Sequence, residues 1–296
     1  IIHRDPKIFI KPNFTFPVYK PGVTTTPKFL ECLIKLLKTR CNNIIVGETD
    51  GGYHAWKAET AFQGHRMYEI CKKYSVRLLN LYDTKLENVE FEIKSKKIKV
   101  PLPYLLLQDI DVFISVPVPK IHCMTGVSLG LKNQWGCILN PMRLRYHYIF
   151  SELVVAINKL LKPAIVIADA SYMLNRNGPM NGEAIQTDLI ITSNDIGAFE
   201  LVVSRIMGVK PDKIKYLKVA KREALLPNCL EDVIINDDLD KYCRKFYLKR
   251  TLQNWLALIA FNNYFLSKIV YDSWLAEPIH KLLYMIKGKP EIRGYY

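Results

Sequence analysis

The sequence predicts an α/β domain with a mainly parallel or mixed sheet and helices on both faces, followed by a C-terminal helical extension. Short apolar segments alternate with amphipathic helical segments through residue 207, as is typical of sheets covered on both faces. After Asn228 the strand-like segments stop, and residues 231–285 read as helical and basic. We therefore divide the chain into an α/β domain over residues 1–228 and a basic helical extension or cap over residues 229–296.

The first part of the domain contains three predicted strands, two helices and a hairpin. The apolar runs that predict the strands are Lys7–Ile10, Asn43–Val46 and Val76–Leu81. The first helix begins at Pro27, with Thr26 as its N-cap, and the second covers residues 58–73. Residues 84–103 alternate charged with apolar side chains, which predicts an exposed hairpin.

The second part contains three more strands and two more helices. The strands are predicted over Asp111–Val116, Ala164–Ala168 and Asp188–Thr192. The helices are predicted over residues 146–161 and 196–207. Between them, residues 169–182 read DASYMLNRNGPMNG, and the Asn-Gly-Pro and Asn-Gly sequences predict a long loop there.

Polar side chains collect just after the carboxyl ends of five predicted strands. They are Lys11 and Asn13, Glu48 and Asp50, Lys120 and His122, Asp169, and Ser193 and Asp195. In open α/β sheets, ligands bind in the crevice outside the carboxyl ends of the strands. If the five strands are parallel, these side chains form one site. The alternative for each residue is a turn former or a helix cap.

The segment from Pro117 to Gly136 is the densest in such residues. Lys120 and His122 are two residues apart and share a face of an extended strand, and Lys132 follows in the same segment. Lysine, histidine and asparagine side chains can hold a carboxylate or phosphate and move a proton.

These positions yield three groups of candidate site residues. The candidate acid–base groups are Lys120, His122, Lys132 and His147. The candidate substrate-binding residues are Lys11, Asn13, Asn133 and Asn177. The candidate ligands of a divalent metal such as Mg²⁺ are Glu48, Asp169 and Asp195. The sequence has no Gly-x-Gly-x-x-Gly, Walker A or Gly-x-Ser-x-Gly motif, so the corresponding nucleotide and hydrolase sites are not supported.

Composition and cysteine spacing restrict the class of protein. With 49% hydrophobic and 24% charged residues, the 296-residue chain is globular rather than disordered, and its formal net charge is +14. None of the seven cysteines forms a Cys-x-x-Cys pair, so we expect free thiols, no iron–sulfur cluster and a cytoplasmic location. The first twelve residues lack a signal-peptide core, and the absence of an initiator Met leaves open whether residues precede them.

One apolar run resembles a membrane span but is too short. Residues 255–270 comprise 16 residues, whereas a span needs about 20, and the run contains Asn262, Asn263 and Lys268. The run predicts a buried or interface helix and no membrane span. A helix lying on a membrane surface is the alternative.

A series of short motifs resembles one known family. In order they are IKPN at 10–13, VGE at 46–48, PKIH at 119–122, LKNQWG at 131–136, IADA at 167–170, NGPMNG at 177–182, SNDIGAFE at 193–200 and RIMG at 205–208. Together they resemble the domain of unknown function 362 over about residues 8–225. The resemblance implies an α/β domain seen mainly in bacteria and archaea, without an established reaction. Many members carry an added ferredoxin-like module with clustered cysteines, which this chain lacks, and their basic run, often Lys-x-Lys-x-His, is here Lys120-Ile121-His122.

Three functions remain open on this basis. In the first, an enzyme binds a small anionic substrate through Lys11, Lys120 and Lys132, with His122 or His147 as the acid–base group. In the second, basic segments with interleaved aromatics, residues 213–222 and 241–250, bind nucleic acid or a ribonucleoprotein. In the third, the chain is a subunit or assembly factor, and its C-terminal aromatic residues support a homo-oligomer or larger complex. These residues are Trp255, Tyr264, Phe265 and Trp274.

Overall fold

The computed structural model describes residues 5–52 and 55–287, and it confirms the α/β fold class. The strands are β1 (Ile8–Lys11), β2 (Ile44–Glu48), β3 (Arg77–Asn80), β4 (Leu86–Ile93), β5 (Lys96–Pro103), β6 (Val112–Ser115), β7 (Lys120–His122), β8 (Gly126–Ser128), β9 (Ile165–Asn175) and β10 (Glu183–Ser193). The helices are α1 (Pro27–Lys38), α2 (Ala58–Gly64), α3 (Met67–Lys73), α4 (Gly130–Asn133), α5 (Phe150–Leu161), α6 (Ile196–Ile206), α7 (Lys215–Arg222), α8 (Leu252–Asn262), α9 (Tyr264–Asp272) and α10 (Ala276–Lys287).

Among the described residues, eight strands form one mixed sheet and β4 and β5 form a separate hairpin. Strands β3, β2, β1, β6 and β9 lie side by side and are parallel. Strand β7 pairs in parallel with the far end of β9, so β6 and β7 follow one another along the same edge of that strand. Strands β8 and β10 run antiparallel to β7 and β9. The hairpin β7–β8 therefore lies beyond the carboxyl end of β1.

Alternate residues of β1 belong to different cores, which shows that both faces of the sheet are covered. Ile8 and Ile10 pack with Leu30 and Ile34 of α1 in one apolar cluster. Phe9 belongs to the second cluster, on the opposite face, together with the buried residues of α5, α6 and α7. A buried strand must be apolar on both sides, and the uninterrupted apolar sequence of β1 fits this arrangement.

The helix predicted over residues 58–73 is wrong as a single element. Helices α2 and α3 are separated at Arg66, whose φ of 57° is left-handed. The chain turns because His65 points inward and stacks on Phe14, with ring centroids 4.0 Å apart. Gly64 lets the backbone at Pro17 pack against this turn, since a Cβ at Gly64 would lie 2.1 Å from the Pro17 carbonyl oxygen.

The first half of the predicted loop over residues 169–182 is strand. Strand β9 continues to Asn175, because its second half pairs with the first half of β10. Strand β10 is antiparallel to β9, so Ser193 and Asp195 lie at the opposite edge of the sheet from the carboxyl ends of the parallel strands. The register of the β9–β10 pair shifts between Gln186 and Leu189 in a bulge.

The extension is α-helical only from residue 252. Before it lie two short 3-10 helices, Leu230–Asp232 and Leu239–Lys241, and a segment that hydrogen-bonds to the α/β domain, so the prediction of continuous helix over residues 231–251 is wrong. In this segment, the amide of Phe246 donates to the Met207 carbonyl at 3.0 Å and that of Lys249 donates to the Arg176 carbonyl at 3.1 Å. Helices α8 and α9 then pack against a 3-10 helix over Arg143–Ile149. Within the described part of the chain, every helix is too short or too polar to cross a membrane.

Candidate functional site

A cavity of about 490 Å³ lies at the carboxyl ends of β1, β2 and β7. It is bounded by the β7–β8 hairpin, by α4 and by the 3-10 helix that precedes α5. Predicted site residues at its wall are Lys11, Asn13, Glu48, Lys120, His122, Lys132, Asn133 and His147. Lys11, Asn13, Glu48, Lys120 and His122 come together because parallel strands end at the same edge of a sheet, whereas Lys132 and Asn133 come from α4 and His147 from the 3-10 helix.

The inner end of the cavity holds a buried ion pair between Lys11 and Glu48. Lys11 Nζ lies 2.7 Å from Oε1 and 2.9 Å from Oε2 of Glu48. The carboxylate also accepts the amide of Thr49 at 3.0 Å. The backbone of Gly136 lies against the pair, because a Cβ at this position would come within 2.9 Å of Lys11 Nζ. Lys11 is therefore neutralised and fixed, and its predicted role as a direct substrate ligand is not supported by this geometry.

A chain of side-chain amides links Lys120 to the end of β1. Lys120 Nζ donates to Asn13 Oδ1 at 2.9 Å and to the Val23 carbonyl. Asn13 Nδ2 in turn donates to Asn133 Oδ1 at 3.0 Å, and Asn133 Nδ2 donates to Ser115 Oγ at 3.0 Å. Burial lowers the pKa of Lys120 well below its ordinary value. These contacts make Lys120 and the two asparagines a rigid wall of the cavity.

The tautomer of His122 is set by its own hairpin. Its Nδ1 accepts the amides of Met124 at 3.2 Å and Thr125 at 3.3 Å. The proton of the neutral ring is therefore on Nε2. Burial, with the charge of Lys132 as a smaller cause, holds the pKa of His122 well below 6.5. His122 is a neutral imidazole with one N–H available as a donor.

Two cations at the cavity wall have no carboxylate partner in the described part of the chain. For Lys132, neither a hydrogen bond nor an ion pair is formed with any described residue, and burial lowers its pKa to about 8. Arg143 donates to the Asp50 carbonyl at 3.0 Å and weakly to Thr49 Oγ1 at 3.4 Å. Sequence reasoning missed Arg143, and the signal that points to it is the basic run RLRYHY ahead of the predicted helix.

His147 contributes an aromatic surface to the site. Its ring stacks near Trp135, with centroids 5.8 Å apart, and contacts Phe261 of α8 at 4.5 Å. Burial, followed by the charges of Lys132 and Arg143, lowers the pKa of His147 to about 3. The ring is neutral at physiological pH.

Three predicted site residues lie elsewhere. Asn177 follows β9 and accepts a hydrogen bond from Asn254 of α8. Asp169 faces the start of α1, where it accepts the amide of Thr26 at 2.7 Å. Asp195 caps α6 by accepting the amide of Ala198 at 2.6 Å.

The candidate metal ligands are therefore not brought together. Glu48 pairs with Lys11, whereas Asp169 and Asp195 accept amides at two separate helix starts. Across residues 5–52 and 55–287, no three His, Cys, Asp or Glu side chains are grouped as a metal site requires. Asp195 follows the alternative interpretation as a helix cap, whereas Asp169 lies within β9 and accepts the amide of Thr26, the residue before α1.

The chain is similar to several known proteins. It is 29% identical over 130 residues to a thylakoid-associated protein of Synechocystis sp., covering 42% of this chain and 40% of the relative. The chain thus spans about two fifths of the length of that curated relative. Among solved structures, the lactate racemase apoprotein of Thermoanaerobacterium thermosaccharolyticum aligns with a TM-score of 0.42 and 14% identity, over 63% of this chain and 45% of that one. A Thermotoga maritima protein aligns with a TM-score of 0.43 and 13% identity, over 76% and 56%.

The sequence motifs and the family comparison agree. The family model described as domain of unknown function (DUF362) matches residues 8–205, which span the sheet, the cavity wall and α6 almost to its end. The chain belongs to the DUF362 family.

Proposed function

We propose that this protein is an enzyme that binds a small anionic substrate, a carboxylate or a phosphate, in the cavity at the strand ends. The observation that carries the proposal is the pair of cations, Lys132 and Arg143, that line the cavity without a carboxylate partner among the described residues. Both side chains are half-buried, and a bound anion supplies the counterion that neither finds among the described residues.

The roles follow from which groups are already engaged. Lys11 and Lys120 are occupied by Glu48 and by Asn13, so they shape the site. The planar guanidinium of Arg143 can donate two parallel hydrogen bonds to carboxylate or phosphate oxygens. His122 donates from Nε2 to a substrate oxygen. Lys132, with a pKa of about 8, exchanges a proton near neutral pH.

Calorimetric titration with inorganic phosphate and a panel of small carboxylates tests this proposal. We expect at least one anion to bind at one site per chain, and Arg143→Gln to weaken its binding at least about tenfold, since hydrogen bonds to charged groups contribute about 1.5–3 kcal/mol. The control is Arg40→Gln, an exposed arginine away from the cavity. Absence of binding across the panel, or equal weakening by both variants, contradicts the proposal.

As a second candidate role, we propose self-association or association with another protein through the C-terminal helices. The observation that favours it is the exposure of apolar side chains there, with Trp274 83% and Phe265 68% exposed. Large exposed apolar patches are typical of interaction surfaces. Light scattering of the intact protein and of the double variant Trp274→Ser, Phe265→Ser tests self-association. A monomeric mass for both proteins contradicts the homo-oligomer.

A further inference from the structure

The three lysines at the cavity wall differ in the partners that their amines bind. Lys11 is held by Glu48 at 2.7 Å, and Lys120 is held by Asn13 at 2.9 Å and by a backbone carbonyl. The Lys132 amine alone of the three is unengaged by any side chain that the structure describes. An amine attacks a carbonyl carbon with its lone pair, which must be free of a proton and of a fixed partner.

The backbone that carries Lys132 is held on both sides. The amide of Leu131 donates to Glu200 Oε1 at 2.7 Å, and the Leu131 carbonyl accepts from Asn158 Nδ2 at 2.8 Å. On the other side, Asn133 donates to the Lys11 carbonyl at 3.2 Å. These bonds fix the backbone of α4, from which the Lys132 side chain lines the cavity.

The surroundings of Lys132 suit a substrate with both a carboxylate and a carbonyl. Arg143 offers a cation to the carboxylate, and the Nε2–H of His122 offers a donor to the carbonyl oxygen. Burial lowers the pKa of Lys132 to about 8, so about a tenth of the amine is unprotonated at pH 7.

We propose that Lys132 forms an imine with the carbonyl carbon of a small oxo acid whose carboxylate is bound by Arg143. This inference rests on the proposed function, because it requires the anion to occupy the cavity. It adds the substrate class, an oxo acid, and a covalent role for one residue.

The step is balanced without a redox partner. The Lys132 Nζ electron pair forms the C–N bond as the carbonyl π pair moves onto oxygen, where His122 stabilises the developing charge by a hydrogen bond. The two amine protons leave with that oxygen as water, and the C=N bond remains.

Reductive trapping on the intact protein tests the inference. The protein is incubated with pyruvate, 2-oxobutanoate, 2-oxoglutarate or acetoacetate in the presence of sodium cyanoborohydride, and its mass and peptide map are recorded. We expect one reduced adduct per chain, located at Lys132. Labelling should fall at least tenfold in both Lys132→Arg and Lys132→Met and remain unchanged in Lys72→Arg, an exposed lysine of α3.

A parallel binding measurement separates the two proposals. Affinities for 2-oxobutanoate and for 2-hydroxybutanoate, which lacks the carbonyl, are measured by calorimetry with the native protein and Arg143→Gln. Arg143-dependent binding of these acids without a trapped adduct overturns the imine and leaves the anion site intact. Labelling confined to other lysines also overturns the imine. Neither binding nor labelling with any of the acids overturns the imine, and a lack of phosphate binding as well overturns the anion site.

Discussion

The ion pair between Lys11 and Glu48 is the most buried charge pair of the cavity, and each partner depends on the other. Their side chains are 2% and 7% exposed. Replacing Glu48 by Gln leaves the Lys11 charge without a counterion, which in buried pairs lowers the free energy of unfolding by about 3–5 kcal/mol. We expect urea unfolding to show this loss of stability, and a smaller loss for the double variant Lys11→Met, Glu48→Leu. The matched control, Glu90→Gln, breaks an exposed pair with Lys97 and should cost about 0–1 kcal/mol. Equal losses in the two single variants would refute this assignment.

His65 makes stability depend on pH. Its Nδ1–H donates to the Ala61 carbonyl at 2.7 Å, and burial lowers its pKa from 6.5 to about 4. Between these values the unfolded chain binds a proton that the folded chain does not, so the free energy of unfolding falls as pH falls from 6.5 to 4. Between pH 6.5 and pH 4, we expect the free energy of unfolding of His65→Leu to fall by up to about 3 kcal/mol less than that of the native protein. Urea unfolding at several pH values measures the difference, and parallel curves for the two proteins would contradict the prediction.

At the scale of single residues, the sequence identifies a site residue when its side chain can bind a ligand and it also lies near a predicted strand end. Lys120 and His122 lie two apart after an apolar run, and the structure places both at the cavity wall. Arg143 was missed because it reaches the cavity from a 3-10 helix distant in sequence from the strands. Asp169 lies within β9 rather than after it, because pairing with β10 extends that strand to Asn175.

Helix α4 is four residues long, and its position depends on a buried carboxyl group from α6. Glu200 accepts the amide of Leu131 at 2.7 Å and the hydroxyl of Tyr216 at 3.2 Å. Such a short helix has too few internal hydrogen bonds to be stable by itself. The placement of Lys132 is therefore controlled by contacts with α5 and α6.

Glu200 also makes stability depend on pH, in the direction opposite to that of His65. Burial raises the pKa of Glu200 from 4.5 to about 8, so the unfolded chain releases a proton that the folded chain retains between these values. This group makes stability fall as pH rises, by roughly 1.4 kcal/mol per pH unit at most. Glu200→Gln keeps an acceptor for Leu131 and removes the titration. We expect the variant to become more stable relative to the native protein from pH 5 to pH 8 in thermal unfolding. A constant difference would show that the carboxyl group is ionised throughout.

The hydrophobic periodicity of the sequence predicts most helices and strands, but it does not predict where a helix breaks or in which direction a strand runs. The hairpin β4–β5 was predicted because its alternation is local, and its turn at Lys94-Ser95 has φ of 52° and 58°, as two-residue hairpins require. The break at Arg66 was missed because helical spacing resumes at once in α3. The direction of β10 could not be predicted, since an alternating strand reads the same in either orientation.

At the scale of the whole molecule, the C-terminal extension completes the site. Phe261 of α8 is 8% exposed, lines the cavity and contacts His147 at 4.5 Å. Because burial is the main cause of the low pKa of His147, we expect Phe261→Ala to raise that pKa toward 6.5. Titration of the histidine signals by NMR measures it. Phe265→Ala is the control, since Phe265 is 68% exposed. An unchanged His147 pKa in Phe261→Ala would mean that α8 is not part of the site.

The bulge in β10 has a consequence for how copies of this chain meet. A long, regular edge strand is a template for pairing with another chain, and it promotes aggregation. Here β10 has its ladder interrupted between Gln186 and Leu189, where Asp188 has a φ of 51°, while the edge strand β3 has only four residues. The edges formed by β10 and β3 are thereby protected against intermolecular strand addition, and the third free edge, β8, has only three residues. Any assembly of this protein is thus expected to form through helices rather than through a continuous sheet.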